Sequence, residues 1–174
     1  MVSERAFRDL MASVCAPGTV VTAMVDGTPH GATVSSFASL SLRPPLVSIA
    51  LDRRSTLLGR ILRTHRFGVN VLGAGNEDIA LTFAASQTDK FCDMEWRTDH
   101  CVPQLTCAVS WVVCELHDVV SGGDHLLLLG RVTHAASTGA ASLVYGNRRF
   151  GAHPELDISQ PAIDDLIAAF AVDQ

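Results

Sequence analysis

Apolar residues recur at two periods along this chain, and the changes of period mark its elements. Residues 18–25 (GTVVTAMV) are β-branched and predict a strand. Asp26-Gly27-Thr28-Pro29 is a strong turn signal, so residues 18–37 predict a hairpin. Residues 46–51 predict another apolar strand, and 67–72 (FGVNVL) a third. Sheet character resumes over 105–118. It returns over 125–134 (HLLLLGRVTH) after the Gly122-Gly123-Asp124 turn, then briefly over 142–145 before a basic turn at 146–150.

Helical spacing interrupts the strands. Over 5–11 it sets Phe7, Leu10 and Met11 on one side, behind a Ser3 cap. Over 55–64 it sets Leu57, Leu58, Ile61 and Leu62 on one face and basic residues on the other. Asn76 caps a helix reaching Ala85, with Glu77 and Asp78 in its first turn. Pro161 opens a last amphipathic helix over 162–172, where Asp164-Asp165 complements the helix dipole. Residues 86–103 read as irregular and polar. About six or more short strands with helices between them predict a mainly β fold, a closed antiparallel barrel with peripheral α-helices. Period alone leaves an open α+β sheet as the alternative.

Composition narrows this further. A chain of 174 residues, 48% hydrophobic, can bury a core as one domain over 1–174, and it has no repeat or linker. Aromatics are only 6%, so Val, Leu, Ile and Ala must fill that core. A net charge of -5 argues against a nucleic-acid partner and against an anionic membrane surface. No signal peptide opens the chain, and no uninterrupted apolar run is long enough to span a bilayer. The five cysteines are odd in number and form no CxxC pair, which predicts free thiols in a reducing cytoplasm.

Residues 31–55 (GATVSSFASLSLRPPLVSIALDRRS) carry most of the chemistry. Arg53-Arg54-Ser55-Thr56 follow a strand and open a helix, where free N–H groups and two guanidiniums favour a phosphate. Thr33-Val34-Ser35-Ser36 are small enough for the backbone to approach a flat ring. Pro44-Pro45 fix an extended polar connection between the two halves. His100-Cys101, Cys107 and Cys114-x2-His117 match no common zinc spacing, so no metal is expected. There is no Gly-x-Gly-x-x-Gly and no P-loop.

The 31–55 stretch resembles the flavin-binding signature of the short-chain flavin reductases, the small partners in two-component flavin monooxygenase systems. The shared pattern is a glycine, Thr-x-x-Ser-Phe, a serine-rich link, Pro-Pro-Leu and a strand ending in a polar turn. The likeness continues through FGVNVL, the helix after Asn76, Lys90-Phe91, Gly123-Asp124-His125, Gly130-Arg131-Val132 and Leu143-Val144-Tyr145. It implies an FMN-binding, Greek-key-like split β-barrel, usually a homodimer. It also implies an NAD(P)H:flavin oxidoreductase that reduces FMN (or FAD) with NADH (or NADPH) and supplies a flavin-dependent monooxygenase. By resemblance, Thr33, Val34, Ser35 and Ser36, with Ser39, meet the flavin ring. Asp52, Arg53, Arg54 and Ser55 hold the ribityl-phosphate end, and Ser86, Lys90 and Phe91 close over the cofactor. His125 stands nearest the nicotinamide as the catalytic residue, with Tyr145 and Gly146 as the second half of that site and Arg148 and Arg149 for the pyrophosphate. Arg43 departs from the family, where an acidic residue is frequent, and Gly146 stands where a second aromatic is common. Two other readings use the same barrel: a non-catalytic flavin- or haem-binding protein, and an enzyme similar to pyridoxamine-phosphate oxidase.

Overall fold

Asp26 and Gly27, both at positive φ (50° and 77°), close the two-residue turn on which the first hairpin folds. It joins β2 (Thr19–Val25) to β3 (Thr28–Val34), with Val25 opposite Thr28. The structure, a computed structural model, describes residues 2–86 and 89–152. The helix expected over 162–172, with Pro161 and Asp164-Asp165, lies outside the described residues.

Around this hairpin the described chain forms α1 (Glu4–Ala12), β1 (Ala16–Pro17), β4 (Ala38–Leu42), β5 (Pro45–Asp52), α2 (Thr56–Thr64), β6 (Arg66–Leu72) and α3 (Glu77–Ala84). It continues with β7 (Trp96–Asp99), β8 (Val102–Leu105), β9 (Ala108–Gly122), β10 (His125–Ser137), β11 (Leu143–Gly146) and β12 (Arg149–Ala152). No helix among the described residues is long and apolar enough to cross a membrane.

Seven strands form one antiparallel sheet in the order β3-β2-β6-β9-β10-β5-β4. β3 and β4 are its two edges, yet only Ser35, Ser36 and Phe37 connect them. That link reaches at most about 14 Å. The sheet must therefore curl until its edges meet, which is the barrel the sequence predicts. The Ser36 hydroxyl fastens the seam. It accepts from the Ala50 N–H at 2.7 Å and donates to the Ala50 carbonyl at 3.1 Å.

The core has two main parts. Val21, Ala23, Ile49, Phe67, Val69 and Leu128 are buried together with Leu57, Leu58 and Ile61 of α2. Val20, Leu72, Ala80, Phe83, Phe91, Leu105 and Leu143 form the second cluster, to which α3 contributes two side chains. Val20 and its neighbour Val21 thus enter different clusters, so β2 is covered on both faces. That is why it reads as a continuous apolar run.

A buried polar group ties the layers. Asn70 donates to the Val20 carbonyl at 3.1 Å and accepts from the Leu105 N–H at 2.8 Å. Thr22 donates to the Pro103 carbonyl at 2.6 Å. Asn70→Ala leaves a buried donor and acceptor unpaired. It is expected to cost about 3 kcal/mol and to lower Tm by about 10 °C in a thermal melt.

Three features depart from expectation. The polar connection before the double proline is a strand, β4, paired with β5 through a bulge between Ser39 and Ser41. Residues 86–103 are not wholly irregular, because Trp96–Asp99 and Val102–Leu105 pair as a hairpin. Its turn residues, His100 and Cys101, both take positive φ (47° and 65°), a conformation whose usual signal is Gly, Asn or Asp. The basic turn after Tyr145 is likewise a hairpin, turning at Asn147 and Arg148 (φ 49° and 58°).

Candidate functional site

A cleft of about 260 Å³ opens between β3, the start of α2 and the loop after α3. Its walls are Pro29, His30, Gly31, Thr56, Arg60, Ser86, Lys90 and Phe91. The helical period explains part of this gathering: Thr56 and Arg60 are four apart and share one face of α2. The apolar face, Leu57, Leu58 and Ile61, is buried in the core and so fixes the direction of the polar one.

Lys90 is the chain's single lysine. Its Nζ donates to the Phe83 carbonyl at 2.7 Å, and burial pushes its pKa below the ordinary lysine value. Burial also lowers the pKa of His30, helped by the positive charges of Arg60 and Arg63. Two cations, two hydroxyls and an imidazole thus share one recess. That donor set fits a phosphate, and Phe91 and Gly31 line the recess beside it. Ser86, Lys90 and Phe91 were legible in the sequence. Thr56, read in the sequence beside Ser55 at a phosphate-favouring helix start, also lines the cleft, whereas His30 and Arg60 were not read as site residues, although the basic face of α2 was visible as a pattern.

The expected ring contacts are partly committed to the fold. The Thr33 hydroxyl donates to the Ala80 carbonyl at 2.5 Å, pinning β3 to α3. The Val34 side chain is buried in the barrel, and its carbonyl accepts from the Thr19 hydroxyl. Ser36 is engaged with Ala50, as described above. Ser35 and Ser39 are exposed.

The expected phosphate arginines are held by the chain itself. Arg54 makes a two-pronged pair with Asp52, at 3.2 Å to Oδ1 and 2.9 Å to Oδ2. This pair holds the Asp52 carboxyl well below the usual carboxylate range. Arg53 reaches away from the cleft. Its Nε donates to the Gly123 carbonyl at 2.9 Å, and its backbone N–H to the Asp124 carbonyl at 3.0 Å. Ser55 occupies the N-cap position of α2 without a side-chain cap bond.

These bonds bring the two predicted halves together. His125 begins β10 directly opposite Asp52 of β5. Its Nδ1 lies 2.8 Å from Asp124 Oδ1, leaving Nε2 free of that bond. The imidazole in turn lowers the pKa of Asp124. Gly123, at φ 67°, permits the tight turn that presents the histidine.

Tyr145 and Gly146 belong to neither the cleft nor this turn. They lie on β11 in a separate three-stranded sheet, where Tyr145 pairs with Ala16 and its ring packs 5.0 Å from Phe150. Arg148 is bound to Asp9 of α1. Arg43 is exposed in the tight turn of the β4–β5 hairpin. Cys114 is buried in the barrel, and burial pushes its thiol up to about 12. His117 faces Arg131 instead.

Residues 11–154 match the family described as "Flavin reductase like domain". The chain is 36% identical over 144 residues to a probable flavin reductase of Rhizobium meliloti, a match covering 81% of this chain and 46% of that protein. The chain thus spans about half the length of this relative. It is 32% identical over 170 residues to HsaB, the reductase subunit of a flavin-dependent monooxygenase of Rhodococcus jostii. That match covers 96% of this chain and 87% of the relative. Among solved structures, it is similar to an NADH:FAD oxidoreductase of Streptomyces globisporus in complex with NAD and FAD fragments. The TM-score is 0.84 at 31% identity, covering 90% of this chain and 99% of that one.

Proposed function

This chain belongs to the flavin reductase like family, and from that premise we propose that it is an NAD(P)H:flavin oxidoreductase supplying reduced flavin to a monooxygenase. The observation that carries the reading is the cationic cleft of His30, Thr56, Arg60, Ser86 and Lys90, bordered by the same β3 that leads to Ser35 and Ser36. Either FMN or FAD brings the phosphate that this recess fits. A bound flavin supplies the two-electron acceptor for hydride from NADH or NADPH.

The protein's own part is binding and alignment. Lys90 and Arg60 neutralise the phosphate while Thr56 and Ser86 donate to it. Ser35 and the exposed backbone of the seam receive the ring's polar edge, and Ser39 lies on the adjoining edge strand. His125, with Nδ1 engaged by Asp124, offers Nε2 to the nicotinamide amide. Asp52 and Arg54 shape the β5 end on which His125 rests, so Arg53 becomes a positioning residue for the nicotinamide side. Arg53→Ala is expected to raise KM for the nicotinamide donor about fivefold with little change in flavin Kd. Steady-state kinetics and a flavin titration check this together. An equal loss of flavin affinity would return Arg53 to the phosphate.

A second copy completes the assembly. Phe7, Leu10 and Met11 on α1 are 57%, 63% and 46% exposed, and Leu42 on β4 is 80% exposed. So much uncovered apolar surface fits a homodimer. Tyr145, Gly146 and Arg149 on β11 and β12, with Arg148 in the turn between them, adjoin α1 through the Arg148–Asp9 pair, so their part in nicotinamide binding is proposed through that assembly. The free thiols suit a reducing cytoplasm.

The deciding assay mixes the protein, NADH or NADPH, and FMN or FAD under air and follows the nicotinamide absorbance. Flavin-dependent loss is expected. No loss with any pair sinks the reading and leaves a non-catalytic flavin-binding barrel.

A further inference from the structure

The β7–β8 hairpin carries at its tip a cluster that the flavin site does not use. Asp99, His100 and His134 offer one carboxylate oxygen and two ring nitrogens, all within 4.8 Å of one another. They come from two separate elements. Asp99 ends β7 and His100 begins the turn, while His134 lies on β10 opposite Val113 of β9. Asp99 Oδ1 stands 2.9 Å from His100 Nδ1, and the two imidazoles stack with centroids 4.3 Å apart.

The carboxylate is oriented from behind. The Trp111 indole N–H donates to Asp99 Oδ2 at 2.8 Å, leaving Oδ1 for the histidines. Carboxylates that bind metals are commonly fixed by such a bond to the other oxygen. Arg66 donates to the His100 carbonyl at 3.2 Å, but its charge is paired with Glu115 at 3.0 Å. His100 is exposed, whereas Asp99 and His134 are half-buried, so an ion has access from solvent on a partly formed floor.

We propose that Asp99, His100 and His134 form a binding site for a divalent cation of the zinc class. Two imidazoles and one carboxylate are a donor set that such ions take, with water completing the coordination. Zinc bonds of about 2.1 Å place neighbouring ligand atoms about 3.4 Å apart. The 4.8 Å bound leaves at most about 1.4 Å to close, and the exposed His100 ring at the hairpin tip is one group able to move. The ion clips the hairpin to β10. His134 lies nine positions beyond His125 along β10, about 30 Å of extended strand, so the clip acts on stability and not on hydride transfer.

The test is calorimetric titration of the full chain with Zn²⁺ in chelator-free buffer, repeated for His100→Ala and His134→Ala. One site per chain at micromolar Kd is expected, weakened at least tenfold in each variant. Flavin reduction without added metal should stay within about twofold of the parent's in both. Because His134 sits within a sheet, His100→Ala at the exposed tip provides the variant least able to disturb folding. Visible cobalt(II) bands in the parent, lost in His100→Ala, would support the same ligands. Binding as tight in the variants as in the parent, or no parental binding below millimolar Zn²⁺, overturns the proposal.

Discussion

His125→Ala is expected to lower kcat/KM for NADH about 100-fold while flavin Kd changes by less than about twofold. The argument is positional. His125 heads β10 opposite Asp52, its Nδ1 is engaged by Asp124, and it is absent from the walls of the cationic cleft. Removing it leaves the phosphate recess intact and takes away the side chain that orients the nicotinamide. Misplacing a reacting group by about 1 Å costs on the order of 100-fold in rate. Rapid mixing of flavin-loaded protein with NADH, beside a fluorescence titration of flavin, separates the two quantities. A parallel loss of flavin affinity, or an unchanged rate, removes His125 from the nicotinamide side.

Lys90→Met carries the second large effect. FMN affinity is expected to fall about 100-fold, because truncating one partner of a desolvated charge pair costs about 2–5 kcal/mol and each 1.4 kcal/mol is about tenfold. Riboflavin supplies the control, since it has the ring and no phosphate. Its affinity should be nearly the same in parent and variant. If riboflavin weakens as much as FMN, Lys90 supports the ring or the loop and not the phosphate.

The same residue predicts a pH dependence with a definite sign. Burial lowers the pKa of Lys90 in the folded chain. The charged form is therefore disfavoured by folding below that lowered value. The penalty fades as pH rises from the folded pKa toward the ordinary lysine value. Phosphate binding acts in the opposite direction and favours the ammonium. FMN affinity should then fall as pH rises through the lowered pKa of the free protein, with proton uptake on binding above it. In Lys90→Met this part of the profile should be flat.

Several elements could be read from local pattern because local physics produces them. Asp26-Gly27 favours a tight turn locally, so the first hairpin was legible over residues 18–37, although Thr28 and Pro29, read as turn, belong to β3. Ser3 caps α1 through the Ala6 N–H, as its position before the apolar spacing implies. The β7–β8 hairpin was not legible. Its turn uses His100 and Cys101 at positive φ, and neither residue signals that conformation. Its support comes from Thr22 and Asn70, which are distant in sequence. Arg53 and Arg54 show the same limit within the site. As a pattern they read as phosphate ligands, but Arg54 pairs with Asp52 and Arg53 with a turn seventy residues away.

The amino-acid sequence alone determined the mainly β architecture and most of its strands, and it singled out the two stretches proposed to carry the chemistry. These follow from turn residues, hydrophobic period and a motif whose parts are close along the chain. Only the tertiary structure decided which charges are free to meet a ligand. Closure of the sheet commits Ser36 to Ala50, and packing of α3 on β3 commits Thr33 to the Ala80 carbonyl. Packing of α2 and the post-α3 loop against β3 turns Thr56, Arg60 and Lys90 toward one recess. The physical reason is that a side chain's availability depends on what else has already bonded to it. Most of those partners, such as Ala80 for Thr33 and Gly123 for Arg53, lie at distances along the chain that no local pattern records.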